Sequence, residues 1–340
     1  MTGIKNIESL RSHLQAAMEL EHATIPAYLT AFFSIKEGSN ELAARIIRSV
    51  VMEEMLHLTL VGNVLNAVDG KPVIACEQFV PQYPCPLPFS DGTLQVGLLK
   101  FSPQALQMFL RIEKPEEKNA APQSEQYSTI GQFYDSLIVA LKELEAHAAK
   151  QHKTIFTGDP EKQIQPEHFY YGGAGQLIPV TDLDSAVKAL EEVVEQGEGH
   201  EHTIYESDKR GFSEQHELAH YYRFNELKEG RFYASGDKPN DSPSGSLLPV
   251  DWSGVWNVVP NPKMARYQDR PEVYELMQEF NRQYTFLLTQ LESAFNGRSE
   301  LMTGSVPIMY ELKRLATGLM KIPSGSGNTT VGPSWEFLSN

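Results

Sequence analysis

The sequence predicts an all-α protein, a four-helix bundle carrying additional helices and long loops. Three observations lead there. Several long segments repeat apolar residues at three- and four-residue steps, the period of a helix with one buried face. Two of these seams carry a Glu-x-x-His pair, Glu54-Met-Leu-His57 and Glu217-Leu-Ala-His220. A third seam is interrupted by a lone carboxylate, Glu21, which a simple hairpin places level with Glu54.

Residues 7–35 read as the first helix, with Ile7, Leu10, Leu14, Met18, Ile25, Tyr28, Phe32 and Ile35 sharing a face. Glu21 lies inside that face, where a carboxylate is costly unless paired or metal-bound. Glu19 and His22 fall to either side, as flanking groups. Pro26 leaves the His22 carbonyl without its helical donor; a tolerated kink and a local opening both fit. Lys36-Glu-Gly-Ser-Asn40 makes the turn, with Gly38 as C-cap and Asn40 as N-cap. Residues 40–68 form the second helix, with Ala43, Ile47, Val50, Glu54, His57, Val61 and Val64 inward. Glu21 lies 17 residues before Gly38 and Glu54 lies 16 after it, so an antiparallel pair brings them together.

Residues 70–100 are proline-rich and read as a loop. Ser102-Pro103 starts a short helix through Leu110, and Glu113 beyond it is a further candidate inward acid. Residues 125–152 form another long helix, with Tyr127, Ile130, Tyr134, Leu137 and Leu141 on one face. The segment 182–198 has Leu183, Ala186, Val187, Leu190, Val194 and Gly197 inward. It ends in Glu195-Gln-Gly-Glu198, where Glu198 lies nearer the apolar face and Glu195 is the alternative. Residues 213–229 follow, with Ser213 as N-cap and Glu217, His220, Phe224 and Leu227 in the seam. A long excursion covers 231–262, and Pro271 opens a helical extension over about 271–321. The tail from Pro323 is flexible by composition, although Trp335 and Phe337 after it can dock. The whole of 1–340 reads as one domain.

Two inward Glu-x-x-His pairs, with one Glu from each of two further helices, are the set with which a four-helix bundle holds two iron or manganese ions. The candidate ligands are Glu21, Glu54, His57, Glu217, His220 and one of Glu195 and Glu198. Carboxylates and imidazoles suit iron, with manganese as the alternative, and four anions balance two divalent ions. The bland alternative has weight: Glu19-Leu-Glu-His22 is a third, unmatched occurrence of the motif. Tyr28 and Tyr134 are candidate catalytic residues that donate electrons or hydrogen bonds. They and Tyr221 and Tyr222 are otherwise core aromatics with a polar tip. Arg223 is a candidate partner of a ligating carboxylate or a surface ion pair. His200 and His202 are candidate extra ligands in a Gly-rich turn.

At these residues the chain resembles a known family. Leu20-Glu-His-Ala-Thr-Ile-Pro-Ala-Tyr-Leu29, Glu53-Glu-Met-Leu-His-Leu58, Glu195-Gln-Gly-Glu-Gly199 and Glu217-Leu-Ala-His-Tyr-Tyr-Arg-Phe224 are similar to the ferritin-like domain of iminophenyl-pyruvate dimer synthases, found in violacein- and rebeccamycin-type biosynthesis proteins. Thr129-Ile-Gly-Gln-Phe-Tyr134 and Gly332-Pro-Ser-Trp-Glu336 are similar to further segments of it. The resemblance implies a ferritin-like bundle and its metal site. The bisindole enzymes are much longer, and their haem-associated region is not expected in these 340 residues.

The expected function is therefore a dinuclear, diiron oxidase or oxygenase with dioxygen as cosubstrate, acting on a small, amino-acid-derived metabolite. The alternatives are an iron-binding or storage protein without substrate turnover, and an imine-dimer synthase-like partner protein. A net charge of −15 argues against nucleic acid or an anionic membrane as partner. No apolar run reaches membrane-spanning length, and no charged-then-apolar leader opens the chain, so a cytoplasmic location is expected. The two cysteines, Cys76 and Cys85, define no disulfide framework; two reduced thiols and one bridge both stay open. A homo-oligomer also stays open.

Overall fold

A computed structural model describes residues 4–88, 92–115, 127, 129–169, 175–199, 203–205 and 218–339, without the side chain of Glu198. Glu217, Ser213, His200 and His202 lie outside the described residues. The described architecture is helical, with one minimal hairpin, β1 (Cys85–Pro86) against β2 (Gln95–Val96), inside the proline-rich loop.

Helices α1 (Ile7–Ser34) and α2 (Glu41–Ala67) form the long antiparallel pair. The Asn6 side chain accepts from the Ser9 amide and starts α1. From Ala16 to Ala31 almost every α1 side chain is buried, so this helix sits inside the molecule rather than on its surface. Its outer side is covered by α9 (Val306–Leu319), which packs with α7 (Pro271–Phe295), with the short α8 (Leu301–Gly304) between those two. The turn after α1 differs from the sequence expectation. The helix ends at Ile35, not Gly38, because Ile35 turns extended and bridges Val255. Asn40 adopts a left-handed conformation and does not cap α2; its amide instead exchanges two hydrogen bonds of 2.8 Å with the Asp251 backbone.

The other half of the bundle is α4 (Ile130–Ala149), capped by Thr129, and α5 (Leu183–Glu198), opened by an Asp182–Ser185 capping box. They pack on each other, α4 against α1 and α5 against α2. Two short helices close one end: α3 (Pro103–Ile112), capped by Ser102, and α6 (His220–Glu229). The predicted helix start at 213 is corrected at its near end. Leu218 bridges Tyr205 and the Ala219 amide bonds the Ile204 carbonyl at 3.1 Å, so this backbone is committed elsewhere and the helix opens only at His220. The tail is not loose. Residues 323–330 form a closed turn, and Trp335 behind it is buried with its indole N–H on Thr30 at 2.9 Å. Both cysteines are free thiols, and no described helix is long and apolar enough to cross a membrane.

Candidate metal centre

The α1–α2 hairpin brings Glu21 and Glu54 level, as the turn arithmetic requires. Glu21, Glu54 and His57 form one buried group of potential ligand atoms, and Glu54, Glu113 and His220 form a second. Glu54 belongs to both. Its Oε1 lies 3.7 Å from His57 Nδ1 and 3.0 Å from His220 Nδ1. Glu21 Oε2 lies 3.3 Å from His57 Nδ1, and Glu113 Oε2 lies 3.5 Å from His220 Nδ1. The two imidazoles stack with centroids 5.4 Å apart.

Both rings turn Nδ1 inward and hold Nε2 on an outer partner. His220 Nε2 lies 2.8 Å from Glu53, whose other oxygen accepts from Arg223 at 2.7 Å. His57 Nε2 lies 2.8 Å from the Gln196 side-chain oxygen. An outer acceptor of this kind places the proton on Nε2 and leaves the Nδ1 lone pair free for a cation. The Thr24 hydroxyl donates to Glu54 at 2.5 Å, the Tyr28 hydroxyl to Glu113 and the Tyr134 hydroxyl to Glu21. The tyrosines named from sequence thus contact two of the candidate ligands.

The electrostatics are those of a crowded anionic core. Burial raises the Glu54 carboxyl to about 6, and the Glu113 charge adds to the rise. Burial alone would lower His57, but the hydrogen bond and charge of Glu21 outweigh it and the net shift is upward. His220 is raised further, because Glu113, Glu53 and Glu54 together overcome its burial. Glu53 goes the other way: burial opposes ionisation, but Arg223 and then His220 hold its carboxyl below the usual range. Burial keeps Tyr28 and Tyr134 protonated far above neutrality, helped by the carboxylates they contact.

Each of these groups could hold a cation. His220 Nδ1 is fully buried, close to two carboxylates, yet makes no hydrogen bond of acceptable angle. Three carboxylates converge in a dry core, and Arg223, which reaches that side, is engaged by Glu53. Such a donor set is expensive without a compensating charge and has the composition of an iron or manganese site.

Some residues expected from the sequence lie outside this set. Glu195 is half-buried and in neither group. The buried stripe of α5 keeps Ala186, Leu190 and Gly197 of the predicted face but takes Ala189, Val193 and Gln196 in place of Leu183, Val187 and Val194, so Gln196 faces His57. Glu113 is the acid in the second group. It lies just past α3, where the sequence left it as a candidate inward acid; its four-residue step from the buried Phe109 is the signal that singles it out. Glu53 had no such signal, because α2 is buried on more than one side. Arg223, left between two roles by the sequence, is buried and bonded to Glu53.

A cavity of about 330 Å³ lies between the 70–100 loop, α3 and Asn261, lined by Pro84, Gln95, Leu99, Gln107, Met108 and Arg111 among others. No residue of the two Glu/His groups lines it.

Replacing bound protons by metal has a measurable signature. In the metal-free protein Glu54 favours its protonated form in the fold, so stability falls as pH rises from 4.5 to about 6. His57 and His220 contribute stability that is complete below their ordinary value of 6.5 and lost as pH rises through their higher folded values. Glu53 has the opposite sign and its contribution is lost in acid, below 4.5. Thermal melts of the metal-free protein should therefore weaken from mildly acid to alkaline pH. The loaded protein should be much flatter, because the cations stand where the protons were. Identical pH profiles for the two forms would contradict this.

Comparison with known proteins agrees with the geometry. Residues 14–229 match the model of the Ferritin-like family. Dichlorochromopyrrolate synthase of Lentzea aerocolonigenes is 28% identical over 85% of this chain and 29% of its own length. The 2-imino-3-(indol-3-yl)propanoate dimerase of Chromobacterium violaceum is 28% identical over 97% of this chain and 34% of its own length. The chain thus spans about a third of these curated relatives. They match the resemblance read from the motifs. A solved ferritin-like protein from Caulobacter vibrioides, 21% identical, superposes with a TM-score of 0.66 over 98% of this chain and 99% of its own, which extends the fold likeness to both chains almost entirely. The chain belongs to the Ferritin-like family.

Proposed function

We propose that this protein is a dinuclear metal enzyme, a diiron oxidase or oxygenase that uses dioxygen on a small, amino-acid-derived metabolite, with residues 1–340 acting as one ferritin-like domain. The observation that carries the proposal is the sharing of Glu54 between two buried Glu/His groups, one of which holds an unpartnered imidazole nitrogen. Glu21, Glu54 and His57 would hold one ion, and Glu54, Glu113 and His220 the other. Glu217 is proposed to complete the four carboxylates and two imidazoles of the bundle pattern, with Glu113 in the place expected of Glu195 or Glu198. When bound, the metal pair supplies the redox chemistry.

The chain's own residues do the rest. Tyr28 and Tyr134 fix the carboxylates of Glu113 and Glu21 and keep a phenolic proton beside each; we assign them the catalytic role of proton or electron donors. Gln196 and Glu53 orient the two imidazoles. Phe109 and Phe224, packed on the Tyr28 ring, exclude water from this side. The free thiols accord with a cytoplasmic setting. A second reading, an imine-dimer synthase-like subunit, draws on the names of the two curated relatives.

Iron loading separates these from storage. Aerobic loading should stop at about two ions per chain, the complement of a closed dinuclear site. Dioxygen uptake by the loaded protein should rise on adding an aromatic 2-imino acid formed from its 2-oxo acid and ammonia. Uptake of iron on the order of tens of ions, far beyond that complement, with no substrate-dependent oxygen consumption, would overturn the enzyme.

A further inference from the structure

A second cavity, of about 240 Å³, lies on the opposite side of the α1–α2 pair from the metal centre. Successive helical residues point about 100° apart, and the two helices use this. Glu21 and Glu54 face the metal centre, while their neighbours His22 and Met55 line the cavity. Its inner wall is buried and aromatic or aliphatic, with Phe33, Tyr284 and Trp335 at the core end. Its outer rim carries two exposed cations, Arg48 from α2 and Lys313 from α9, the latter 5.0 Å above the Phe32 ring. Among the described residues no Asp or Glu lines it, in a chain of net charge −15. No ion pair forms on either cation among the described residues.

One histidine lines the wall. His22 is 3% exposed, and its Nε2 is bonded to the Tyr284 hydroxyl at 2.7 Å. Its Nδ1 is buried and has no hydrogen-bond partner. The volume is also informative. A cavity of about 150 Å³ holds benzene, so 240 Å³ takes one ring with a short side chain.

We propose that this cavity is a binding site for a small amphipathic carboxylate, separate from the metal centre. The anion sits between Arg48 and Lys313 and an aryl or branched alkyl body fills the apolar interior. Apolar walls with a few convergent polar groups are the usual form of such sites, and here the sign of the rim selects the acid. Because His22 follows Glu21 and Met55 follows Glu54 in the chain, an occupant touches the helices that carry two candidate ligands. The inference does not depend on the metal reading.

The test uses the metal-free full chain and 3-phenylpropanoate, with 3-phenylpropanamide as the uncharged analogue. Calorimetry gives affinity and stoichiometry, and the fluorescence of Trp335 reports occupancy of the cavity. The acid should bind one per chain and at least tenfold more tightly than the amide. The double variant R48Q/K313Q, altered only at exposed rim positions, should lose that preference while leaving amide binding unchanged. L288W, which fills the interior, should abolish both. Equal binding of acid and amide, an unaltered acid affinity in the double variant, or no saturable acid binding at millimolar concentration would each overturn the proposal. So would a concentration-dependent dimer that excludes the acid, since a second copy of the chain would then be the occupant.

Discussion

Alanine at position 54 should empty both metal positions, whereas alanine at position 21 should empty one. Glu54 is the only acid common to the two described Glu/His groups, and its Oε1 lies between the inward nitrogens of His57 and His220. Glu21 belongs to the His57 group alone. Against about two ions in the parent protein, Glu54→Ala should retain close to none and Glu21→Ala about one. Activity should be lost in both. Glu19→Ala is the control: that side chain is half-buried and outside both groups, so it should keep both ions, with at most a tenfold to hundredfold effect on affinity. Elemental analysis beside circular dichroism separates loss of metal from loss of fold. Equal metal content in Glu54→Ala and Glu21→Ala would show that Glu54 is not shared.

Arg223→Met should be the most destabilising change outside the ligands. Arg223 is buried and bonds Glu53, which is itself 1% exposed and holds His220. Removing the guanidinium leaves the buried Glu53 carboxylate with His220 alone, and breaking a buried ion pair typically costs about 3–5 kcal/mol. Removing both charges, in Glu53→Gln with Arg223→Met, should cost less than the single change, because no unpaired charge is left behind. Denaturant unfolding of the metal-free variants measures the difference. A cost below about 1 kcal/mol for Arg223→Met, the range of exposed ion pairs, would contradict the arrangement.

Much of this was legible in the sequence, and the exceptions have physical causes. The α1 and α2 seams are local patterns, so both helices were placed within a residue or so, and the Glu21–Glu54 pairing followed from the length of one turn. The start of α6 was not local. Leu218 and Ala219 pair with Tyr205 and Ile204, a tertiary choice that no periodicity encodes. The α5 phase slipped because a wheel drawn on apolar residues alone favoured Val194, whereas packing buries Val193 and Gln196. Glu53 was invisible for the same reason that α1 is buried all round. A wheel divides a helix into an inside and an outside, and these central helices have hardly any outside. Asn40 looked like a cap because its residue type favours caps, but its amide is used to tie the Asp251 loop to the hairpin.

The most direct measurement is an anomalous-scattering map, collected at the iron edge from crystals loaded with iron under anaerobic conditions. The account predicts two peaks flanking Glu54, one beside Glu21 and His57 and the other beside Glu113 and His220. A single peak, or iron bound only away from these residues, would contradict it.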